Sequence, residues 1–381
     1  MSQPRYLAAL AFGAFLWIGL FLAFTLAIDP YGVSPIRMSW RGVNQYKPKR
    51  LNIDRLLKPY EVWRYQPRTV FLGTSRINQS IDPSVLDETS YAPAYNASIP
   101  ANSVALTASH LRQYIELDPN LRTVVVELFF YQFIGDAQED DKDRKTFSDF
   151  TGNALDLLFS ADALWASVET VTYNVTRNIP TSEIKPGGYL YFPPGRRDPR
   201  SNFEGFAPHI WTMSRSSLFP TLSQEALKDF EKIVQISREH DLELLFVLTP
   251  SHAYDDYRLE STGIWPLVEQ WLKRVSASAM VYSFSQPNEW VYEPVKVQMT
   301  YWRDPLHFTP ELGRHMQRAL IGGKVEDAPA NFMVRIYPHV VAEHIATRRE
   351  AVKRWAKENA GFVEQFQEAR RQWEKVHGSS N

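Results

Sequence analysis

The chain contains no cysteine. Disulfides, thiolate metal sites and a cysteine nucleophile are therefore excluded, and any chemistry must come from serine, threonine, histidine or carboxylates. Charge of one sign is not in excess: 42 basic residues stand against 43 acidic ones, so no global field draws nucleic acid. Neither an H-E-x-x-H run nor a clustered histidine–carboxylate set occurs, and no phosphate-cradling glycine loop, so neither metal nor cofactor is expected. There is no internal repeat, and only one long apolar run.

That run is "YLAALAFGAFLWIGLFLAFTLAI", residues 6–28, without a charge. As a helix it spans roughly 34 Å, enough for a hydrocarbon core of ~30 Å. It is longer than the apolar part of a cleaved signal, so despite the small residues Thr25 and Ala27 it reads as an uncleaved anchor after a cytoplasmic stub, residues 1–5. Only Arg5 precedes it, whereas Arg37, Arg41, Lys47, Lys49 and Arg50 follow. A positive-inside count alone would keep the body in the cytoplasm.

What is present beyond the anchor is alternation. Residues 29–50, rich in Pro, Gly and basic side chains, read as a linker. "RTVFLG" (68–73), "LRTVVVELFF" (121–130) and "LELLFVLTP" (242–250) read as buried strands, and "AMVYSFS" (279–285) as a weaker one. Between them "SVALTASHLRQYIEL", "LSQEALKDFEKIVQISREH", "PLVEQWLKRV" and "TPELGRHMQRAL" carry helical spacing. Thr221 and Gln224 suggest a capping box for the second of these, and Thr309 with Pro310 an N-cap for the last. The pattern predicts a three-layer α/β/α domain over residues 51–325. Alternation lapses over residues 136–217, an insertion that could form a lid or platform at the active face, or a surface elaboration without a role. A helical tail follows from residue 326, with Val352, Trp355, Phe362, Phe366, Ala369 and Trp373 on one stripe. It is expected on the body, with a partner or the membrane surface as alternatives. The 11 Trp and 18 Tyr suit carbohydrate contacts, and equally a large core.

One serine stands out. In "VFLGTSRINQS" Ser75 sits in a tight polar turn after a buried strand, at the end where α/β sheets place reactive groups. A serine nucleophile needs a base, and the base an orienting group. Among nine histidines, His307 lies in "YWRDPLHFTPELG", three residues after Asp304 and just before a capped helix. In such a D-x-x-H turn Asp304 can accept from Nδ1–H and leave Nε2 for the serine proton. His252, just past another strand end, and Arg76 and Glu293, near the same crevice, are further substrate-binding candidates.

"FLGTSR" followed by "DPLHFTPELG", with "DPYG" after the anchor, "YNAS" at 95–98 and "TPSHA" after the penultimate strand, resembles the SGNH (GDSL-like) hydrolase superfamily. The branch is the membrane-anchored one that includes alginate O-acetylation proteins and the D-alanine-transfer proteins of teichoic-acid modification. The resemblance covers residues 29–321. It implies a flavodoxin-like parallel sheet, Ser75 as nucleophile, His307 as base, Asp304 as orienting acid and Asn96 as an oxyanion-hole candidate. It also implies a single-pass protein of the cytoplasmic membrane whose body is exported to the periplasm or another extracytoplasmic space, against the charge count. The activity implied is an acyl esterase or O-acyltransferase on a cell-surface or secreted polysaccharide, with an acyl-sugar substrate or a membrane-bound acyltransferase as partner. Two motifs depart from the superfamily: Thr74 replaces the Asp of G-D-S, and "VELFFYQF" stands where G-x-N-D supplies the usual oxyanion Asn. Donors must then come from the Ser75 backbone N–H, Asn96 or Arg76. Losing one typically costs ~10²–10³ in rate, so the alternative is a catalytically degenerate binding or scaffold partner in a polysaccharide modification or export complex.

Overall fold

The computed structural model describes residues 3–34, 38–135, 157–176, 182–193, 198–206 and 221–377. The acidic run at 136–145, His209 and Arg37 lie outside the described residues. A six-stranded sheet forms the centre, built from β1 (Thr69–Leu72), β2 (Ala94–Asn96), β3 (Thr123–Leu128), β6 (Glu243–Leu248), β7 (Val281–Ser283) and β8 (Val334–Ile336). Its order is β2-β1-β3-β6-β7-β8; the first five are parallel and β8 is antiparallel to β7. A small hairpin, β4 (Glu183–Ile184) and β5 (Leu190–Tyr191), stands apart.

The strands are apolar along their length because both faces are covered. Alternate residues point opposite ways: Val70, Leu72, Val124, Val126 and Phe246 pack beneath α4 (Val104–Leu117), α7 (Gln224–Glu239) and α9 (Trp265–Ser278). Phe71, Val125, Leu245 and Val247 face the other core, with α3 (Ser75–Ser80), α8 (Ala253–Thr262) and α10 (Pro310–Leu320). The chain is thus α/β with a mostly parallel sheet between two helical layers.

Several elements differ from the sequence expectation. The turn after Gly73 is a helix, α3, capped by Thr74. The cap of α7 is Ser223, whose hydroxyl accepts from the Ala226 N–H at 3.2 Å, and not Thr221. The tail is not wholly helical: it supplies β8, so the sheet is completed from beyond residue 325. Its helices α11 (Val341–Glu358) and α12 (Ala360–His377) pack on the body, burying Trp355 and Phe366 against Tyr254 and Tyr257, with Trp373 in the same core.

The linker is folded as well. Asp29, at φ 48°, accepts from the N–H groups of Val33 and Ser34, and Tyr31 and Val33 share a core with α2 (Asp54–Tyr65) and α5 (Ala161–Val175). A linker reading follows from missing periodicity, yet buried polar anchors can order a segment that has none. Ahead of it, α1 (Gln3–Ile28) is long and apolar enough to cross a membrane.

Candidate active site

Strand order places a topological switch point between β1 and β3, with the crevice at their carboxyl ends. β1 delivers Gly73, Thr74 and Ser75 there. Thr74 donates from both N–H and hydroxyl to Glu127 Oε2 on β3, at 2.7 and 2.8 Å. Thr249, past the end of β6, donates to Glu127 Oε1 at 3.0 Å. The buried carboxylate of Glu127 thereby ties together the ends of three strands. Gly73 is required by this crowding and not by its φ: a Cβ would sit 2.7 Å from Glu127 Oε2 and 2.8 Å from Ile77 Cγ1. Glu127 was legible as a charged residue inside "VVVELFF", where burial demands a partner, but its partners were not.

The second half comes from residues 301–309. Trp302 and Phe308 form a β-bridge, Arg303 N–H donates to the His307 carbonyl, and Thr309 then caps α10, with Pro310 at its first position. Inside this loop Asp304 Oδ1 accepts from the N–H groups of Leu306 and His307, both at 2.9 Å. Glu293 anchors the loop's start, accepting from Thr300 and Tyr301 N–H at 2.8 Å each. Ser80 donates to the Phe308 carbonyl at 2.6 Å and Arg303 to the Gln79 carbonyl at 3.1 Å, which clamps the loop to α3. Gly313 lets α10 approach the end of α3; a Cβ there would lie 1.9 Å from the Ser80 carbonyl oxygen.

These restraints bring Ser75 Oγ within 2.9 Å of His307 Nε2, across 232 residues of chain. His307 Nδ1 lies 2.9 and 3.0 Å from the two Asp304 oxygens. With Asp304 accepting at Nδ1, the proton sits on that nitrogen and Nε2 is free to accept from the serine hydroxyl. Burial works against ionisation of Asp304. Hydrogen bonds from the His307 ring and from backbone N–H groups outweigh it and hold the carboxyl below its usual range. The His307 and Asp304 side chains remain 23% and 21% exposed, so the site is reachable.

The other candidates stand elsewhere. The Asn96 amide donates to the carbonyls of Ile77 and Ile81 and its oxygen accepts from Ser98 N–H, so it closes the C-terminal end of α3 and has no proton left for an oxyanion. Arg76 is buried, donates to the Pro250 carbonyl, lies 3.8 Å from Glu127 and stacks over Phe129 at 4.5 Å. It braces the ends of β3 and β6. Glu293 positions the loop.

His252 is fully buried among Phe203, Trp302, Tyr292 and Trp355. Its Nδ1 accepts from Tyr254 N–H, capping α8, and its Nε2–H donates to the Glu293 carbonyl at 2.9 Å. Both nitrogens are used in the neutral ring, and burial pushes its pKa from 6.5 down to about 4, against the Glu293 hydrogen bond. Between those values the unfolded chain binds a proton that the folded one refuses, so stability is full above pH 6.5 and falls toward pH 4. The loss from this one group amounts to roughly 3 kcal/mol. His252→Asn, which retains a capping side chain, is expected to flatten the stability–pH curve over that window by up to one proton, read from urea midpoints at stepped pH. An unchanged slope would show that His252 does not titrate this way. His344, held at about 3 by burial, contributes in the same sense.

Pieces of the insertion flank the loop at 301–309: Asn202, on α6 (Pro199–Glu204), donates to the Arg303 carbonyl at 2.9 Å, and Arg303 lies over Phe192. The loop after β2 is tied to Gly73 by Ile99 N–H at 3.0 Å, and Ala101 adopts a left-handed φ of 54°. Among the described residues no group of three or more His, Asp or Glu could hold a metal. Comparison of the chain with protein-family models, with curated proteins and with solved structures returns no match.

Proposed function

We propose that the protein is a serine acyl-ester enzyme, an esterase or O-acyltransferase of SGNH type, anchored by α1 with its body outside the cytoplasm. The observation that carries this reading is the continuous line from Ser75 Oγ through His307 to the Asp304 carboxylate. Ser75 would attack an ester carbonyl while its proton passes to His307 Nε2. The same proton would then go to the departing alkoxide, leaving an acyl-serine. Water or a sugar hydroxyl would repeat the sequence on the acyl-serine, giving up a proton to His307 and releasing Ser75. Asp304 stabilises the imidazolium formed in each half without taking its proton.

With Asn96 and Arg76 committed elsewhere, the oxyanion donors would be backbone N–H groups, from Ser75 and from the strained turn at Ala101–Asn102. A polysaccharide ester as substrate rests on the motif resemblance and on the anchor.

That same commitment of Asn96 and Arg76 favours the second reading, a degenerate fold that binds glycan or partner without turnover. Covalent labelling of the full-length protein with a fluorophosphonate separates the two. Adduct formation that disappears in Ser75→Ala is expected of the enzyme, whereas no adduct at neutral pH would leave the binding protein.

A further inference from the structure

Helix α5 is built inside out for a helix in water. Its buried side carries small and polar residues: Ala163, Ala166, Ser167, Thr170 and Asn174. Its exposed side carries Leu164, Trp165, Val168, Thr172 and Val175, with Trp165 66% and Val175 61% exposed. At 100° per residue these five fall on one face without a charge. Glu169 stands beside that face and is paired with Lys49 at 2.7 Å. A helix of a water-soluble body turns its large apolar residues inward. Small residues inside and large ones outside are instead the arrangement of helices in contact with lipid.

The position of α5 says what covers it. Residues 4–12 and 14–20 of α1 are exposed, and burial begins at Phe21, where α5 packs across the last two turns. Leu26 joins Ala163 and Ala166 in one cluster, and Thr25 and Ile28 are buried. The 25-residue apolar helix is about 37 Å long against a hydrocarbon core of ~30 Å, so the membrane boundary must fall across those final turns. The residues of α5 that cluster with Leu26, Ala163 and Ala166, flank the exposed Leu164 and Trp165, so the apolar face of α5 starts beside the end of α1. A second pair, Met38 and Trp40, is exposed at the same end. The Asn44 side chain secures it, donating to the carbonyls of Ile28 and Met38, both at 3.0 Å, and accepting from Trp40 N–H.

Resting on the anchoring just proposed, we infer that α5 is a second membrane-contacting element. It lies in the interface of the bilayer that α1 spans, with Leu164, Val168 and Val175 in the acyl boundary and Trp165 and Trp40 as belt residues. The body is then seated on the membrane at one height and tilt, and the Ser75 crevice has a fixed bearing relative to the lipid surface.

The absence of cysteine makes the test direct. Single Trp165→Cys and Val168→Cys variants of the full-length protein, labelled with an environment-sensitive fluorophore, are reconstituted into phosphatidylcholine–phosphatidylglycerol vesicles with or without nitroxide-tagged lipid. Trp17→Cys in α1 reports the anchor, and Gln235→Cys on the exposed face of α7 reports the aqueous body. Blue-shifted emission at 165 and 168 that is lost to nitroxide lipid, as at 17 and unlike at 235, is the expected result. Quenching at 17 but not at 165 and 168 would overturn the interfacial helix and leave the anchor standing. A blue shift at 165 that lipid nitroxide does not quench would mean that a second copy covers the face, which equally overturns it. No quenching at 17 would remove the anchor and this inference together.

Discussion

Ser75→Ala is expected to lower kcat on an acetyl ester by a factor of about 10⁴ or more, and His307→Ala by a similar factor. The double variant should be no worse than either single one, because the two groups act as a unit separated by 2.9 Å. Asp304→Asn is the sharper test. Asp304 Oδ1 is held by two backbone N–H groups, so in the variant the amide oxygen will keep that position and the NH₂ will face His307 Nδ1. The imidazole must then carry its proton on Nε2, the nitrogen that has to accept from Ser75. A fall of about 10⁴ in kcat with an unchanged melting curve is expected from this wrong tautomer. Turnover that survives all three changes would remove the assignment of the site.

The second large effect concerns stability. Arg348 on α11 donates to both oxygens of Asp256 on α8, at 3.1 and 2.5 Å, and both residues are buried. Burial raises the Asp256 carboxyl, Arg348 opposes it, and Tyr292 adds one hydroxyl at 2.7 Å. Arg348→Ala leaves that carboxylate almost alone in a site lined by Trp265, and a loss of about 3–5 kcal/mol is expected in urea unfolding. Arg348→Met combined with Asp256→Leu, which removes both charges, should recover most of the loss. A single variant as stable as the parent would mean that the tail contributes little to the body. The effect should reach the site, since Tyr292 adjoins the Glu293 that holds the loop at 301–309.

Local signals were legible where they repeat along the chain. The continuous apolar runs at 68–73, 121–130 and 242–250 demanded cover on both faces, and each contains a parallel strand. β2 and β8 escaped because Ala94–Asn96 and Val334–Ile336 stand in no apolar run, unlike the equally short β7 inside "AMVYSFS", and α3 because six polar-rich residues read as a turn. The cap of α7 was misplaced by two residues, since Thr221 and Ser223 are both competent and only backbone geometry chooses.

By itself the sequence determined the material of this protein: strands apolar enough for a doubly covered sheet, a charge-free helix of membrane length, and a serine, a histidine and an aspartate in turns that can present them. Hydrophobic burial and short-range turn geometry are local and additive, and so they are written in neighbouring residues. Only the tertiary structure decided which polar groups are spent on holding the Ser75–His307–Asp304 cluster in place. Asn96, Arg76, His252 and Glu293 all read as substrate-binding candidates, yet each is drawn into a hydrogen bond with a backbone carbonyl or N–H group. A buried polar group must take whichever partner the fold brings within about 3 Å. For Arg76 and His252 that partner arrives from a distant segment, and no local pattern announces it.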